Sequence, residues 1–327
     1  MNVKDKLECK NIDFKNRLIM PPMAIAKAEA DGYVTEQILE YYSEKTKNGG
    51  FSAVIVEHNY VDAQGKAHNG QMSVAEDGAI AGLKKLAQVI KKNGSKAILQ
   101  ISHGGSMCKS QVTGQEVVAP SPVISPTGRN DQLPKELTVE EIKSIKEKFV
   151  KAADRAKEAG FDGVELHSAH GYLLDQFLSP LSNKRQDEYG GNILNRIKIH
   201  LEIIKAIKEQ LGSNYPLFIR IGAGDFMDGG LEIEDTIMAA KEFEKAGVDV
   251  IDISGGMCFY TIEDKSPGYF QSITKPVFDN VSIPVILTGG IKTGDDVKNI
   301  LKKNTCDLVG VGRAVLNNSN WIIEEIG

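Results

Sequence analysis

The sequence predicts an α/β fold, a single (β/α)8 barrel of the TIM type, and three observations lead there. Eight short runs rich in β-branched residues recur along the 327-residue chain. Amphipathic segments lie between them, the alternation produced by parallel strands joined through crossover helices. The runs turn polar toward their C-terminal ends. Three of the connections that follow are far longer than such joints need, so their extra residues serve something besides connectivity. In a closed barrel those loops gather at one end, the face where barrel enzymes place their chemistry.

The runs are 17–24 (RLIMPPMA), 51–58 (FSAVIVEH), 96–103 (KAILQISH), 163–170 (GVELHSAH), 216–224 (PLFIRIGAG), 250–256 (VIDISGG), 284–290 (PVILTGG) and 307–313 (DLVGVGR). Helices are expected at 35–48, 77–93, 137–160, 193–211, 233–246 and 293–303, with a very short one at 319–326. The clearest is 137–160: Thr138 can cap it, Glu141 stands at capping-box spacing, and Gly160 closes it. The long connections are 104–136, 171–192 and 257–272, after strands 3, 4 and 6. Nothing resembling a linker or low-complexity stretch divides the chain, so residues 1–327 are expected to form one domain.

Composition narrows the function. Apolar residues at 41% and charged residues at 25% fit a globular chain with a large core. The 32 glycines are in excess of the usual ~7%. They cluster in doublets at 49–50, 104–105, 190–191, 229–230, 255–256 and 289–290, most of them following strands. A net charge of -5 lacks the basic excess that nucleic acid demands. Cys9, Cys108, Cys258 and Cys306 form no CxxC pair, which argues against a zinc ribbon or a disulfide framework and for a reducing cytoplasm. The first residues, MNVKDKLECK, are charged where a signal peptide is apolar, and no apolar run approaches ~18 residues. An unprocessed cytoplasmic chain without membrane contact is the expectation.

The polar strand ends are Glu57 and His58, Gln100 and His103, His167 and His170, Arg220, and Asp252. A buried unpaired charge costs several kcal/mol, so Arg220 within LFIRIG must meet solvent, a carboxylate or a ligand. A purely structural ion pair with Glu57, Glu165 or Asp252 competes with ligand binding. His167 and His170 would face opposite ways on a regular strand but can converge where a strand breaks into a loop. Without further ligands at metal spacing, no metal is expected. Two imidazole N–H groups on one carbonyl oxygen would act as an electrophilic clamp, and Tyr172 adds a proton donor nearby. Taken singly, each histidine reads first as a satisfied structural residue, and only the pair together points to a clamp. TGG (288–290) and VGR (311–313) end the last two strands, where barrels often bind phosphate through backbone N–H groups, although tight packing at the rim also needs glycine.

These residues resemble the Old Yellow Enzyme group of FMN-dependent ene-reductases, within the NADH:flavin oxidoreductases. The most specific stretch is 165–191, ELHSAHGYLLDQFLSPLSNKRQDEYGG, with NRLIMPPM, LQISHGG, TGG and VGR around it in the expected order. The pattern is similar to the short bacterial branch and to the barrel domain of 2,4-dienoyl-CoA reductases. It lacks their iron–sulfur cysteines, which implies direct reduction by NADH or NADPH. The resemblance implies that Pro21, Pro22, Met23, Ala24 and His58 lie along the FMN ring, with Gln100 at its pyrimidine end. By the same resemblance Arg220 would stabilise the anionic reduced ring, and Gly289, Gly290, Gly312 and Arg313 would hold the phosphate. His167 and His170 then hold the carbonyl of an enone- or enal-type substrate. The resemblance further implies that hydride from flavin N5 would reach the β-carbon and Tyr172 would protonate the α-carbon.

Two departures stand out. Ala24 replaces a hydrogen-bonding Cys or Thr found in many relatives, which implies a shifted flavin potential, and Ala26 lacks an aromatic group, which implies a more open pocket. No arginine follows Arg313, so an active site shared through a C-terminal arginine is not expected, while a homo-oligomer stays open. Two other classes compete: a non-redox barrel lyase or isomerase acting on a phosphorylated substrate, and a flavin-binding protein of low activity. The first accounts for TGG and VGR but not for Gln100, Arg220 and ELHSAHGY together.

Overall fold

The computed structural model describes all 327 residues. Eight strands close into a parallel barrel in chain order, the first pairing with both the second and the last. They are β1 (Leu18–Met20), β2 (Ala53–Tyr60), β3 (Lys96–Ser102), β4 (Gly163–Ser168), β5 (Leu217–Gly222), β6 (Val250–Ser254), β7 (Val285–Thr288) and β8 (Leu308–Gly310). The crossover helices are α1 (Glu36–Thr46), α2 (Ile80–Lys92), α3 (Val139–Glu158), α4 (Lys198–Leu211), α5 (Ile233–Ala246), α6 (Gln271–Phe278) and α7 (Gly294–Lys302). After β8 come α8 (Arg313–Asn317) and α9 (Trp321–Glu325). No helix is long and apolar enough to cross a membrane.

The helices form where amphipathic spacing and caps coincide. In α3, Thr138 Oγ1 accepts from Glu141 N at 3.2 Å and the Glu141 carboxylate accepts from Thr138 N at 2.8 Å, closing the capping box. Its buried face, Ile142, Ile145, Phe149, Ala152 and Ala156, repeats at helical spacing. Two apolar layers result. One lies between sheet and helices. The other fills the N-terminal half of the barrel, where Ile19, Ile55, Ile98, Phe218, Val250 and Ile286 point inward. Phe14, held by an antiparallel bridge between Leu7 and Phe14, closes that end against Phe218, ring centroids 6.4 Å apart. With the lower half plugged by apolar side chains, only the C-terminal half can hold polar groups around a ligand.

Several boundaries differ from expectation. β1 stops at Met20, because Pro21 and Pro22 supply no N–H for a ladder. Residues 21–35 and 61–79 are therefore two more long connections, in addition to those after strands 3, 4 and 6. The expected helix 193–211 is two, Ile193–Arg196 and α4, meeting at Ile197. Helix α6 was not legible: it is eight residues long and carries Pro276, normally a helix breaker. The connection 104–136 contains a small parallel pairing of Val118–Ala119 with Lys135–Glu136, and a helix Leu173–Leu178 lies within 171–192.

Candidate active site

At the C-terminal end of the strands a cavity of about 410 Å³ opens, within the ~300–1,000 Å³ of small-molecule sites. Every residue singled out from the sequence as a site residue lines it, from Pro21–Ala24 through His167, His170 and Tyr172 to Arg313. His103 and Asp252, the other polar strand ends, do not. The His103 ring packs over Gly65 and its Nδ1 accepts from Gly105 N at 3.1 Å. Asp252 lies below, against Arg220.

A β-bulge and a left-handed residue aim the polar side chains. β2 pairs with β3 as Val56↔Leu99 and then Asn59↔Ile101, so Glu57 and His58 together oppose Gln100 alone. Consecutive strand residues normally face opposite ways; the bulge lets both line the cavity. β4 ends at Ser168, and His170 takes φ +61. This folds its ring to within 5.0 Å of the His167 ring, centroid to centroid, at 80°. Tyr172 lies 4.6 Å from His167 on the same measure, and its hydroxyl is 3.2 Å from His58 Nε2. Burial holds the His167 and His170 pKa well below the usual imidazole value, and neighbouring positive charge adds to this. Both rings are neutral at pH 7 and each carries one N–H. Ser254 Oγ stands 2.7 Å from His170 Nε2 and also receives Arg220 Nη2 at 3.4 Å. Its own hydrogen can therefore go to His170 Nε2, leaving the ring proton on Nδ1. Burial raises the Tyr172 pKa far above the usual phenol value.

Arg220 answers both alternatives posed by the sequence. It lines the cavity and its Nε faces Asp252 Oδ2 at 3.4 Å. The approach is an ion pair without hydrogen-bond geometry: Arg220 Nε and both Asp252 oxygens find no hydrogen-bond partner. Gln100 Nε2 donates to Glu165 Oε1 at 2.8 Å. Burial pushes the Asp252 carboxyl up to about 6 against the opposing pull of Arg220. The Glu165 carboxyl is raised by burial first and by the Asp252 charge second.

The opposite end of the cavity suits a phosphate. Gly289 and Gly290 take φ +113 and +70, and the N–H groups of Gly289, Gly290, Gly312 and Arg313 meet no backbone acceptor within the chain. Backbone donors left unpaired beside a cavity call for an anion or water. The Arg313 guanidinium donates from Nη2 to Tyr269 Oη at 3.3 Å. Between the two ends, Pro21–Ala24 form an apolar wall and Gln100 and Arg220 a polar one. The residues thus fit FMN: a wall for a flat ring, a cation and an amide for its polar edge, and a glycine-lined end for its phosphate.

Sequence reasoning did not assign Glu57, Ser254, Tyr269 or Phe259, all of which line the cavity. Glu57 was visible as a polar strand end, and Ser254 preceded a glycine doublet. Tyr269 and Phe259 carried no signal, since they sit in the irregular segment after β6. The Glu57 carboxylate accepts from Ile25 N at 2.7 Å, tying the 21–26 segment to β2. Burial pushes its pKa up to about 7, against the pull of that hydrogen bond. An acid whose folded pKa is raised contributes stability below its unfolded pKa, lost as pH rises through the folded one. Flavin-free Glu57→Gln is expected to gain on wild type in thermal unfolding between pH 5 and pH 8.5, by about 2–3 kcal/mol. A pH-independent difference would contradict this.

The sequence model of the NADH:flavin oxidoreductase / NADH oxidase family matches residues 6–324. The chain belongs to that family. It is 39% identical over 318 residues to an NADH oxidase of Thermoanaerobacter brockii, covering 95% of this chain and 48% of the relative. It is 38% identical over 313 residues to an NADPH dehydrogenase of Bacillus velezensis, covering 95% and 90%. Among solved structures, a 2-naphthoyl-CoA reductase in complex with 2-naphthoyl-CoA superposes with a TM-score of 0.92 at 27% identity, covering 99% of this chain and 52% of that one. The chain thus spans about half the length of the first and third of these proteins and nine-tenths of the second.

Proposed function

We propose that the chain is an FMN-dependent NAD(P)H oxidoreductase that reduces the activated C=C of α,β-unsaturated carbonyl compounds, residues 1–327 acting as one FMN-binding barrel domain. The observation that carries this reading is the pair of neutral imidazoles with ring centroids 5.0 Å apart and Tyr172 beside them on one cavity wall.

Pro21, Pro22, Met23, Ala24, His58, Gln100 and Arg220 would hold FMN along its ring and Gly289, Gly290, Gly312 and Arg313 would hold its phosphate; bound there, the group would supply hydride for the substrate β-carbon. Hydride addition moves negative charge onto the carbonyl oxygen. His167 and His170 donate to that oxygen, and the bonds strengthen as charge develops. Because burial keeps both rings neutral, they serve as donors that give up no proton. Tyr172, kept protonated by the same burial, delivers its proton to the α-carbon. A non-redox lyase or isomerase would use the glycine end but leaves Gln100, Arg220 and family membership unexplained.

The purified protein is expected to show a flavin spectrum that NADH or NADPH bleaches anaerobically and cyclohexenone restores. A colourless protein that cannot be loaded with FMN overturns the reading. Tyr172→Phe is expected to slow reoxidation by the enone about 10²-fold or more, with far less effect on bleaching. Equal slowing of both half-reactions would remove Tyr172 as the proton donor.

A further inference from the structure

Tyr172 can protonate a substrate only if its hydroxyl hydrogen points into the cavity, and the groups around it decide that direction. Its oxygen lies 3.2 Å from His58 Nε2. Two neighbours in this geometry permit either direction: the tyrosine donates to the imidazole, or the imidazole donates to the tyrosine. The choice depends on which His58 nitrogen carries the proton, and that depends on the far side of the ring.

There the partner is Gln71, fully buried in the connection after β2. Its Nε2 stands 3.1 Å from His58 Nδ1 and 3.2 Å from the His58 backbone oxygen. Its Oε1 accepts the Ala67 N–H at 2.7 Å. These contacts fix the amide orientation. Flipped, it would set nitrogen against the Ala67 N–H and oxygen against the His58 carbonyl, losing both bonds in a buried place. Gln71 therefore presents an N–H to Nδ1, and Nδ1 must be the acceptor. Burial, with His68 and Arg220 nearby, pulls the His58 pKa down to about 3, so the ring holds a single proton, on Nε2.

We propose that Gln71 and His58 are positioning residues for the proton donor. Gln71 holds His58 as the Nε2–H tautomer, Nε2–H donates to Tyr172 Oη, and the tyrosine's own hydrogen is left for the substrate. The proposal rests on the ene-reductase reading. His58 keeps its proton throughout: the Tyr172 O–H bond breaks as the α-carbon takes the proton, the imidazole N–H steadies the phenolate, and water returns a proton to it. In the other tautomer the tyrosine hydrogen would point at Nε2, away from the reacting carbon. The bulge that turns His58 into the cavity beside Glu57 is what makes the contact possible.

The direct test is the tautomer. In FMN-loaded protein labelled with 15N-histidine, two-bond proton–nitrogen correlation should show His58, identified by its loss in His58→Asn, as neutral and protonated at Nε2. Protonation at Nδ1 overturns the proposal. In Gln71→Glu the carboxylate offers Nδ1 only acceptors, so the ring should switch to Nδ1–H. The rate of enone reoxidation should then fall about tenfold or more relative to NADH bleaching. A switched tautomer with an unchanged ratio of the two rates overturns the positioning role. Because Gln71→Glu buries a charge, His58→Gln and His58→Leu give a second comparison. The amide can still donate to Tyr172, so His58→Gln should retain at least about fivefold more enone reoxidation than His58→Leu. Equal rates would count against the proposal. A flavoprotein that no enone reoxidises defeats the functional reading alone, since the tautomer measurement is independent of activity.

Discussion

Replacing His167 by Ala is expected to slow enone reoxidation of the reduced protein about 10²–10³-fold, the usual cost of one oxyanion donor. His170→Ala should lose a similar amount, and the double variant less than the product, because the two rings serve one oxygen. The geometry behind this is specific: the His167 ring is buried and the His170 ring partly so, both are neutral, and they meet edge to face with centroids 5.0 Å apart. Stopped-flow reoxidation by cyclohexenone after anaerobic reduction reads the effect. Bound flavin and its bleaching by NADH show whether the site remains assembled. Enone rates within about threefold of wild type in both single variants would show that the pair does not hold the carbonyl.

Arg220→Met is expected to be the most damaging single change to stability, costing about 3–5 kcal/mol, as breaking a buried pair does. Removing the cation leaves Asp252 and Glu165, both fully buried, without their counter-charge. The pH dependence has a definite sign. Burial already raises the Asp252 pKa to about 6, and loss of Arg220 raises it further. A raised acid pKa removes stability as pH climbs through it. The deficit of Arg220→Met in thermal unfolding should therefore grow from pH 5 to pH 8, and Asp252→Asn in the same chain should recover much of it. A deficit constant with pH would mean that Arg220 contributes packing alone. The variant should also lose FMN affinity, readable by titrating flavin fluorescence.

Much of the architecture was legible from local chemistry. β-branched runs, capping residues and helical spacing are properties of short windows, and windows such as Thr138–Glu141 form the same contacts in the fold. Legibility ended where local rules conflict with tertiary context. Pro276 argued against helix α6, yet packing of Ile273, Thr274 and Val277 holds it. The 171–192 segment was legible as a motif, but the helix Leu173–Leu178 inside it was not.

The site divides along the same line. The sequence alone determined the inventory: which strands end in polar groups, that the last two end in glycine, and that ELHSAHGY unites two imidazoles with a phenol. Residue type and position along a strand are enough for that. Direction and protonation were decided by the tertiary structure. The bulge opposite Gln100 turns both Glu57 and His58 inward, and the +61 φ of His170 swings its ring beside His167. Burial then sets which groups are charged, and Gln71 fixes which nitrogen of His58 holds a proton. A sequence lists donors and acceptors, but pairing and desolvation arise only when distant segments meet, and these forces aim a proton.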